Sequence, residues 1–322
     1  MRLTIPYLMT DTPSIVLSNT DHSVPVISVI MPVYNGEKYL CEALNNILNQ
    51  SFGDFELIIV DDSSHDRSQE IIHSYSDPRI KLVKNQKNLG VVGALNIGLK
   101  VATGKYLVRH DQDDRSHLDR FKLQYLAMEK LGVDICGTGW TTMSPEGALL
   151  KQQQNPCNED TIFACLATNV PFPHGSVMMR SSFLKKHQLQ YDDQNYFGDD
   201  YWLWVRFAQN DARFANLREN LYFYRIHSQS LSFQKNNLVR KAAKRIRRDF
   251  VKKNITRSKD TLDRLTLNLD TIKSLNHRET VYASMLAYRL PLSWNSSAKF
   301  MKIFWHASMK QKMHILYTII KS

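Results

Sequence analysis

Three apolar runs within the first 115 residues, each stopping at a polar tip, constrain what this chain can fold into. The first is Val26-Ile27-Ser28-Val29-Ile30-Met31-Pro32-Val33, ending at Tyr34-Asn35-Gly36. The second, Phe55-Glu56-Leu57-Ile58-Ile59-Val60, ends at Asp61-Asp62-Ser63-Ser64, and the third, Tyr106-Leu107-Val108, ends at Arg109-His110-Asp111-Gln112-Asp113-Asp114-Arg115. Continuous β-branched apolar character is that of a parallel strand covered on both faces. Pro32 cannot donate to a ladder, and Asn35-Gly36 is turn chemistry, so the first strand ends there. Helical spacing follows from Glu37 to Asn49, with Tyr39, Leu40, Ala43, Leu44, Ile47 and Leu48 on one side. A second helix is predicted over Arg67 to Tyr75, capped by Ser64 or Asp66, and a third over Val91 to Ala102, with a short strand from Arg79 to Lys84 between them. Strand–helix alternation at this spacing predicts right-handed crossovers and a parallel sheet.

In open α/β sheets ligands bind beyond the carboxyl ends of the strands. Tyr34-Asn35, Asp61-Asp62 and Asp111–Asp114 all fall at such ends. Like charges as dense as Asp111, Asp113 and Asp114 repel, and a hard divalent cation with oxygen ligands offsets that repulsion. A solvated acidic turn is the plainer explanation. An Asp-X-Asp pair at a strand end would hold Mg²⁺ or Mn²⁺ against a diphosphate, which points to a nucleotide-dependent transferase. No Gly-rich phosphate loop is present to serve instead.

Together these segments carry a resemblance. Pro32-Val33-Tyr34-Asn35, Val60-Asp61-Asp62-Ser63-Ser64-His65-Asp66, Asn88-Leu89-Gly90 with Ala94-Leu95-Asn96-Ile97-Gly98, and Asp111-Gln112-Asp113-Asp114 resemble, in order and spacing, the family 2 glycosyltransferases of GT-A fold. The likeness covers about residues 25 to 232, and the Arg109–Arg115 variant is similar to members that build bacterial lipopolysaccharide or capsule. It implies a GT-A (Rossmann-like) α/β fold, a mostly parallel sheet flanked by helices, with a C-terminal helical basic extension. It also implies inverting transfer of a hexosyl unit from a nucleotide-sugar, with UDP the commonest carrier, and dependence on a divalent cation. Pro32, Val33, Tyr34, Asn35 and Asn96 would line the nucleotide-sugar, Tyr34 stacking on the base and Asp62 accepting from it. Asp113 would be the metal ligand and Asp111 would lie nearer the ribose or the metal's waters. Asp61 would back Asp62 or act as a cap, and Asp114 would cap a helix starting near Leu118, a position where the family often has proline.

The second half of the chain must supply the acceptor site. Phe172-Pro173-His174-Gly175-Ser176 matches the family segment leading to the donor sugar, with His174 as a substrate contact or a structural group. Gly198-Asp199-Asp200-Tyr201-Trp202-Leu203 precedes a buried helical pattern, so either carboxylate would serve as a helix cap on spacing alone. The resemblance makes Asp200 the general base, which a poorly nucleophilic sugar hydroxyl requires. Trp202 stands where the family often has an acid. Tyr224-Arg225-Ile226-His227 matches the segment closing the family's catalytic domain, with Arg225 beside phosphate and His227 completing the metal shell.

Composition bounds the remainder. With 322 residues and 43% hydrophobic content the chain has room for one large domain and an appendage. We divide it into a 1–24 N-terminal extension without a signal-peptide pattern, a 25–234 catalytic domain (nucleotide-sugar half 25–115, acceptor half 116–234) and a 235–322 basic region. Cys41, Cys136, Cys157 and Cys165 lack metal-ligand spacing and read as reduced cytoplasmic thiols. The net charge of +11 is uneven. Residues 235–322 hold 20 Lys+Arg against 5 Asp+Glu (+15), and residues 1–234 hold 22 against 26 (−4). The basic helices and the Trp294–Ser322 segment, mixing Trp, Phe, Met and Lys, suit peripheral contact with an anionic membrane on its inner face, or a helical lid. A processive synthase would need spanning helices and a Gln-X-X-Arg-Trp segment, neither of which appears. A sugar nucleotidyltransferase would carry a Gly-rich loop near Met31–Tyr39. A nucleic-acid-binding protein would suit the basic tail, but no reading motif is present and the acidic edge repels nucleic acid, so none is expected as a partner.

Overall fold

The computed structural model describes residues 24–230, 234–267, 269–290 and 294–321. The expected 1–24 extension therefore lies, apart from Val24, outside the described residues, and the boundary near 234 falls beside undescribed positions.

The strands are β1 (Ile27–Val33), β2 (Phe55–Asp61), β3 (Ile80–Lys84), β4 (Tyr106–Arg109), β5 (Arg115–Ser116), β6 (Ile135–Met143), β7 (Leu149–Gln153), β8 (Met178–Arg180) and β9 (Phe214–Arg225). They form a single nine-stranded sheet in the order β3-β2-β1-β4-β8-β6-β9-β5, with β7 paired to β6. Pairing is parallel from β3 to β4, as the alternation predicts. Beyond β4 it is mixed: β8 runs antiparallel to both β4 and β6, β9 is parallel to β6, and β5 is antiparallel to β9.

The unbroken apolar runs reflect two cores, one on each face of the sheet. Ile27, Val29, Met31 and Val33 of β1 join Leu57 and Ile59 of β2 in one core, under Leu40, Ala43, Leu44 and Ile47 of α1 (Leu40–Leu48). Ile30, Ile58 and Val60 join the other, under Val92, Ala94 and Leu95 of α3 (Gly90–Val101). Side chains alternate between the faces with period two, so a strand covered twice is apolar on both; the exceptions short of the polar tips, Ser28 and Glu56, bond each other, and Glu56 also pairs with Lys81. Pro32 is accommodated because it is turned toward β4 beyond the last paired residues, Ile30 and Arg109. Its neighbours confirm the phase: Ile30 O accepts from His110 N at 3.2 Å, and Val33 O from Asp62 N at 2.8 Å.

Between β2 and β3 lies α2 (Ser68–His73), where Asp66 Oδ1 accepts from Ser68 N at 2.9 Å, the expected cap. α1 starts three residues later than expected, because Tyr39 N closes a turn on Gly36 O. The second half adds α4 (Arg120–Leu131), α5 (Glu159–Cys165), α6 (Ser181–His187) and α7 (Asp199–Gln209). Among the described residues six helices follow: α8 (Asn236–Lys253), α9 (Ile255–Leu265), α10 (Leu269–Ser274), α11 (His277–Arg289), α12 (Trp294–His306) and α13 (Met309–Lys321). Most of them share a core with the sheet, and a smaller cluster of their own, Val281, Met285, Ala307 and Ile315, ties α11 to α13 and the end of α12. Ile246, Phe250, Leu262 and Leu286 pack in the same cluster as Phe163, Trp204 and Phe207, and Phe250 meets Phe163 ring to ring at 5.2 Å. Among the described residues no helix is long and apolar enough to cross a membrane.

Candidate active site

The end of β4 carries the site's charge. Arg109 is buried, donating through Nη1 to His110 O and through Nη2 to Asp111 Oδ1 at 2.6 Å. Burial pushes the Asp111 carboxyl up, the Asp113 charge adds to that, and Arg109 opposes it. Asp114 turns inward, where Oδ2 accepts from Tyr222 Oη at 2.5 Å and Oδ1 from Arg225 N at 2.7 Å. The helix cap expected of Asp114 is thus corrected. Arg115–Ser116 form β5 directly after it, α4 begins only at Arg120, and Asp114 latches β9 to the Asp cluster. Burial, then the charges of Asp113 and Asp111, push its carboxyl well above the usual range. His110 is fully buried, which holds its imidazole at about 3 and therefore neutral.

The tips of β1 and β2 meet this cluster. The Gln112 side chain brackets the backbone of Tyr34, accepting from its N at 2.9 Å and donating to its O at 3.1 Å. Tyr34 is 43% exposed, beside the less exposed Pro32 and buried Val33. Asn35 adopts a left-handed backbone (φ +48°); its N donates to Ser64 Oγ at 3.0 Å and its Oδ1 accepts from His65 N at 2.9 Å. Asp62 accepts from Asn85 Nδ2 (2.7 Å), Leu89 N (2.9 Å) and Gly90 N (2.8 Å), fixing the N-terminus of α3. Among the described residues these bonds fill three of its four acceptor sites, and the residue is 3% exposed. Asp61 accepts from Ser64 N and Gln69 Nε2 and so ties down the loop after β2.

The second half supplies the opposite wall. A Cβ on Gly175 would lie 1.7 Å from Tyr222 Oη and 2.9 Å from Asp111 Oδ2, so only glycine admits this approach of backbone to the Asp cluster. His174 Nε2 and Tyr191 Oη are 2.9 Å apart, and burial, then Arg109, push His174 well below its usual range, leaving it neutral. Asn96 pairs both amide groups with the backbone of Tyr191, at 2.9 and 3.0 Å, and so holds this wall in place. Asp199 and Asp200 begin α7. Asp200 Oδ1 accepts from Tyr201 N at 2.6 Å. Burial raises its carboxyl to about 6 against the pull of that N–H and of Arg109. Asp199 is pushed well above the usual range by burial and by Asp200, and its Oδ2 has no partner among the described residues.

His227 and Asp113 meet at 2.7 Å between Nε2 and Oδ2. Arg225 backs them. Its Nε donates to Asp113 O (2.7 Å), Nη1 to Pro145 O (2.8 Å) and Nη2 to Glu42 Oε2 (2.6 Å), so this buried guanidinium faces its own chain. Among the described residues no three His, Cys, Asp or Glu side chains converge to cage an ion. Mg²⁺ and Mn²⁺ do not require such a cage, because they are commonly held by one or two carboxylates with phosphate oxygens and water completing the shell. Asp113 with His227, and Asp111 beside them, fits that pattern. Sequence reasoning missed Arg109, Tyr191, Tyr222 and Gln112 as parts of this arrangement. Arg109 and Gln112 are signalled by lying inside the acidic motif, whereas Tyr191 has no signal outside the tertiary structure.

Comparison with known proteins gives the family and the fold. The model of the family described as Glycosyl transferase family 2 matches residues 28–187. A putative glycosyltransferase, EpsE of Bacillus subtilis, is 36% identical over 208 residues, 62% of this chain and 73% of that protein. The O-antigen biosynthesis glycosyltransferase WbnJ of Escherichia coli is 31% identical over 214 residues, 64% of this chain and 81% of that protein. Among solved structures, S. aureus TarS 1–349 in complex with UDP-GlcNAc superposes with a TM-score of 0.56 at 20% identity, covering 86% of this chain and 88% of that one. The mannosyltransferase PcManGT from Pyrobaculum calidifontis, in complex with GDP-Man and Mn²⁺, does so with 0.52 at 16% identity, covering 93% and 81%. The fold is GT-A, and the chain belongs to the family 2 glycosyltransferases.

Proposed function

We propose that this glycosyltransferase moves a hexosyl unit from a UDP-sugar to a hydroxyl of a glycan or lipid-linked acceptor, with inversion, in the synthesis of cell-surface polysaccharide or lipopolysaccharide. The O-antigen role in WbnJ's name and the UDP-GlcNAc bound to TarS support the pathway and the carrier. The observation that carries the mechanism is Asp200, a carboxylate at the start of α7 whose carboxyl is held at about 6, within the electrostatic reach of Arg109 and Asp111. A base with that value is ionised near neutrality and still basic enough to take a proton in the transition state.

In this reading the donor lies across the strand ends, its base against Tyr34 with Asp62's fourth acceptor site toward it. Asp200 takes the proton of the acceptor hydroxyl as that oxygen bonds to the anomeric carbon. The bond to the diphosphate breaks on the opposite side, and its electron pair leaves with UDP. Asp113 and His227, with Asp111, would hold a divalent cation, which when bound supplies charge stabilisation to the departing diphosphate. Neutral His174 and its partner Tyr191 present hydrogen-bonding groups to the transferred sugar without adding charge.

Replacing Asp200 with Asn tests this. Transfer is expected to fall ~10²–10⁴-fold while calorimetric UDP affinity stays within twofold, because the amide keeps the shape and loses the basicity. Unchanged turnover would remove Asp200 as the base.

A further inference from the structure

The last two helices show a face that none of the described residues covers. On α13, Ile315 packs inward with Ala307, Val281 and Met285, and Gln311 Nε2 donates to Thr280 Oγ1 at 3.0 Å. The opposite side presents Met309, Met313 and Leu316, which are 75%, 61% and 43% exposed. At 100° per residue these three fall within an arc of about 60°, with Lys310 and Lys312 on its two flanks. On α12, Ile303 is buried while Met301 and Trp305 are exposed, the indole to 74%. The two stripes join, because Lys312 Nζ stands 5.7 Å from the ring centroids of both Phe304 and Trp305.

Charge identifies the occupant. Residues 294–321 contain five lysines and no Asp or Glu; Lys299 pairs with Asp263 and Lys302 donates to Thr266 O, which leaves Lys310 and Lys312 beside the apolar stripe. A protein partner matched to this face would need acids set among apolar side chains. An anionic bilayer offers both features everywhere on its surface: apolar depth for indole and thioether, and phosphates for the flanking ammonium groups. Neither helix is long and apolar enough to span a bilayer, so the helices would lie in its plane.

We propose that the outer face of α12 and α13 docks on an anionic lipid surface, with Trp305 and the methionines inserted and Lys310 and Lys312 at the headgroups. Docking does not depend on the transfer chemistry, and it would bring the catalytic site to lipid-borne acceptors. The test is flotation of the full-length protein with vesicles of phosphatidylcholine and phosphatidylglycerol in equal parts, and with phosphatidylcholine alone. Binding to the anionic vesicles alone is expected. Lys310→Gln with Lys312→Gln should weaken it about 25-fold, on about fivefold per lysine, and Trp305→Ser with Met309→Ser about tenfold or more. Both variants should keep wild-type UDP affinity, since Trp305, Met309 and Lys310 are exposed, Lys312 is half-buried against the Phe304 and Trp305 rings, and none of the four is part of the candidate active site. Absence of vesicle binding, or binding that both pairs leave unchanged, would overturn the proposal. So would a concentration-dependent dimer, seen by light scattering, that the same substitutions dissolve.

Discussion

Asp200 shows how neighbours set the working value of one carboxyl. Burial drives it toward the neutral acid, while the Tyr201 N–H and the Arg109 charge hold it at about 6. A general base works only when deprotonated. The kcat/KM for transfer should therefore rise with pH through about 6 and level off above it, falling roughly tenfold per unit below. A rate profile flat from about pH 5 to 8 would contradict this assignment. Gly175 is the second residue whose identity is dictated by contact. Gly175→Ala drives a methyl into Tyr222, which cannot retreat because its hydroxyl is bound to Asp114. The variant should be destabilised by about 1–3 kcal/mol in urea unfolding, with UDP binding weakened because Asp111 lies on the same path.

At the scale of elements, β9 decides whether the site assembles. Its Tyr222 hydroxyl and Arg225 backbone N–H both bind Asp114, and the strand then delivers His227 to Asp113. Tyr222→Phe leaves a buried carboxyl with one partner fewer. It should cost about 1–3 kcal/mol of stability and loosen UDP binding in the presence of metal, both measurable on the same preparation. Of the strands that sequence made legible, β1, β2 and β4 are buried on both faces, which is what a nearly unbroken apolar run reports, while the short β3, expected over Arg79–Lys84 and found over Ile80–Lys84, is only half-buried. The two-residue β5 and the long β9 carry no such pattern. β9 contains Arg218, Glu219 and Asn220 and pairs with β6 across register shifts, so its place follows from tertiary contacts alone. The acidic tips were legible for the same reason as the strands that bear them. The roles of Arg225 and Asn96 were less so: guanidinium and amide groups pair with phosphate, carboxylate or carbonyl alike, and only the fold shows that Glu42, Pro145 and Tyr191 are their nearest partners.

At the scale of the whole molecule, an acidic region holding the sheet and site is joined to a basic helical region through one shared core. Removing residues 236–321 would strip Ile246, Phe250, Leu262 and Leu286 from Phe163, Trp204 and Phe207. The remainder should be insoluble or lose cooperative unfolding, as judged by near-UV dichroism during thermal denaturation; a soluble, cooperatively folded 24–235 fragment would contradict the shared core. The central claim is that Asp111, Asp113 and His227 at the strand ends receive a nucleotide diphosphate through a divalent cation. Calorimetric titration of UDP into the full-length protein, with Mn²⁺ and with EDTA, beside Asp113→Ala, tests it most directly. The account predicts binding with Mn²⁺ that EDTA abolishes and that the variant lacks. UDP binding of equal strength under all three conditions, or in none, would contradict it.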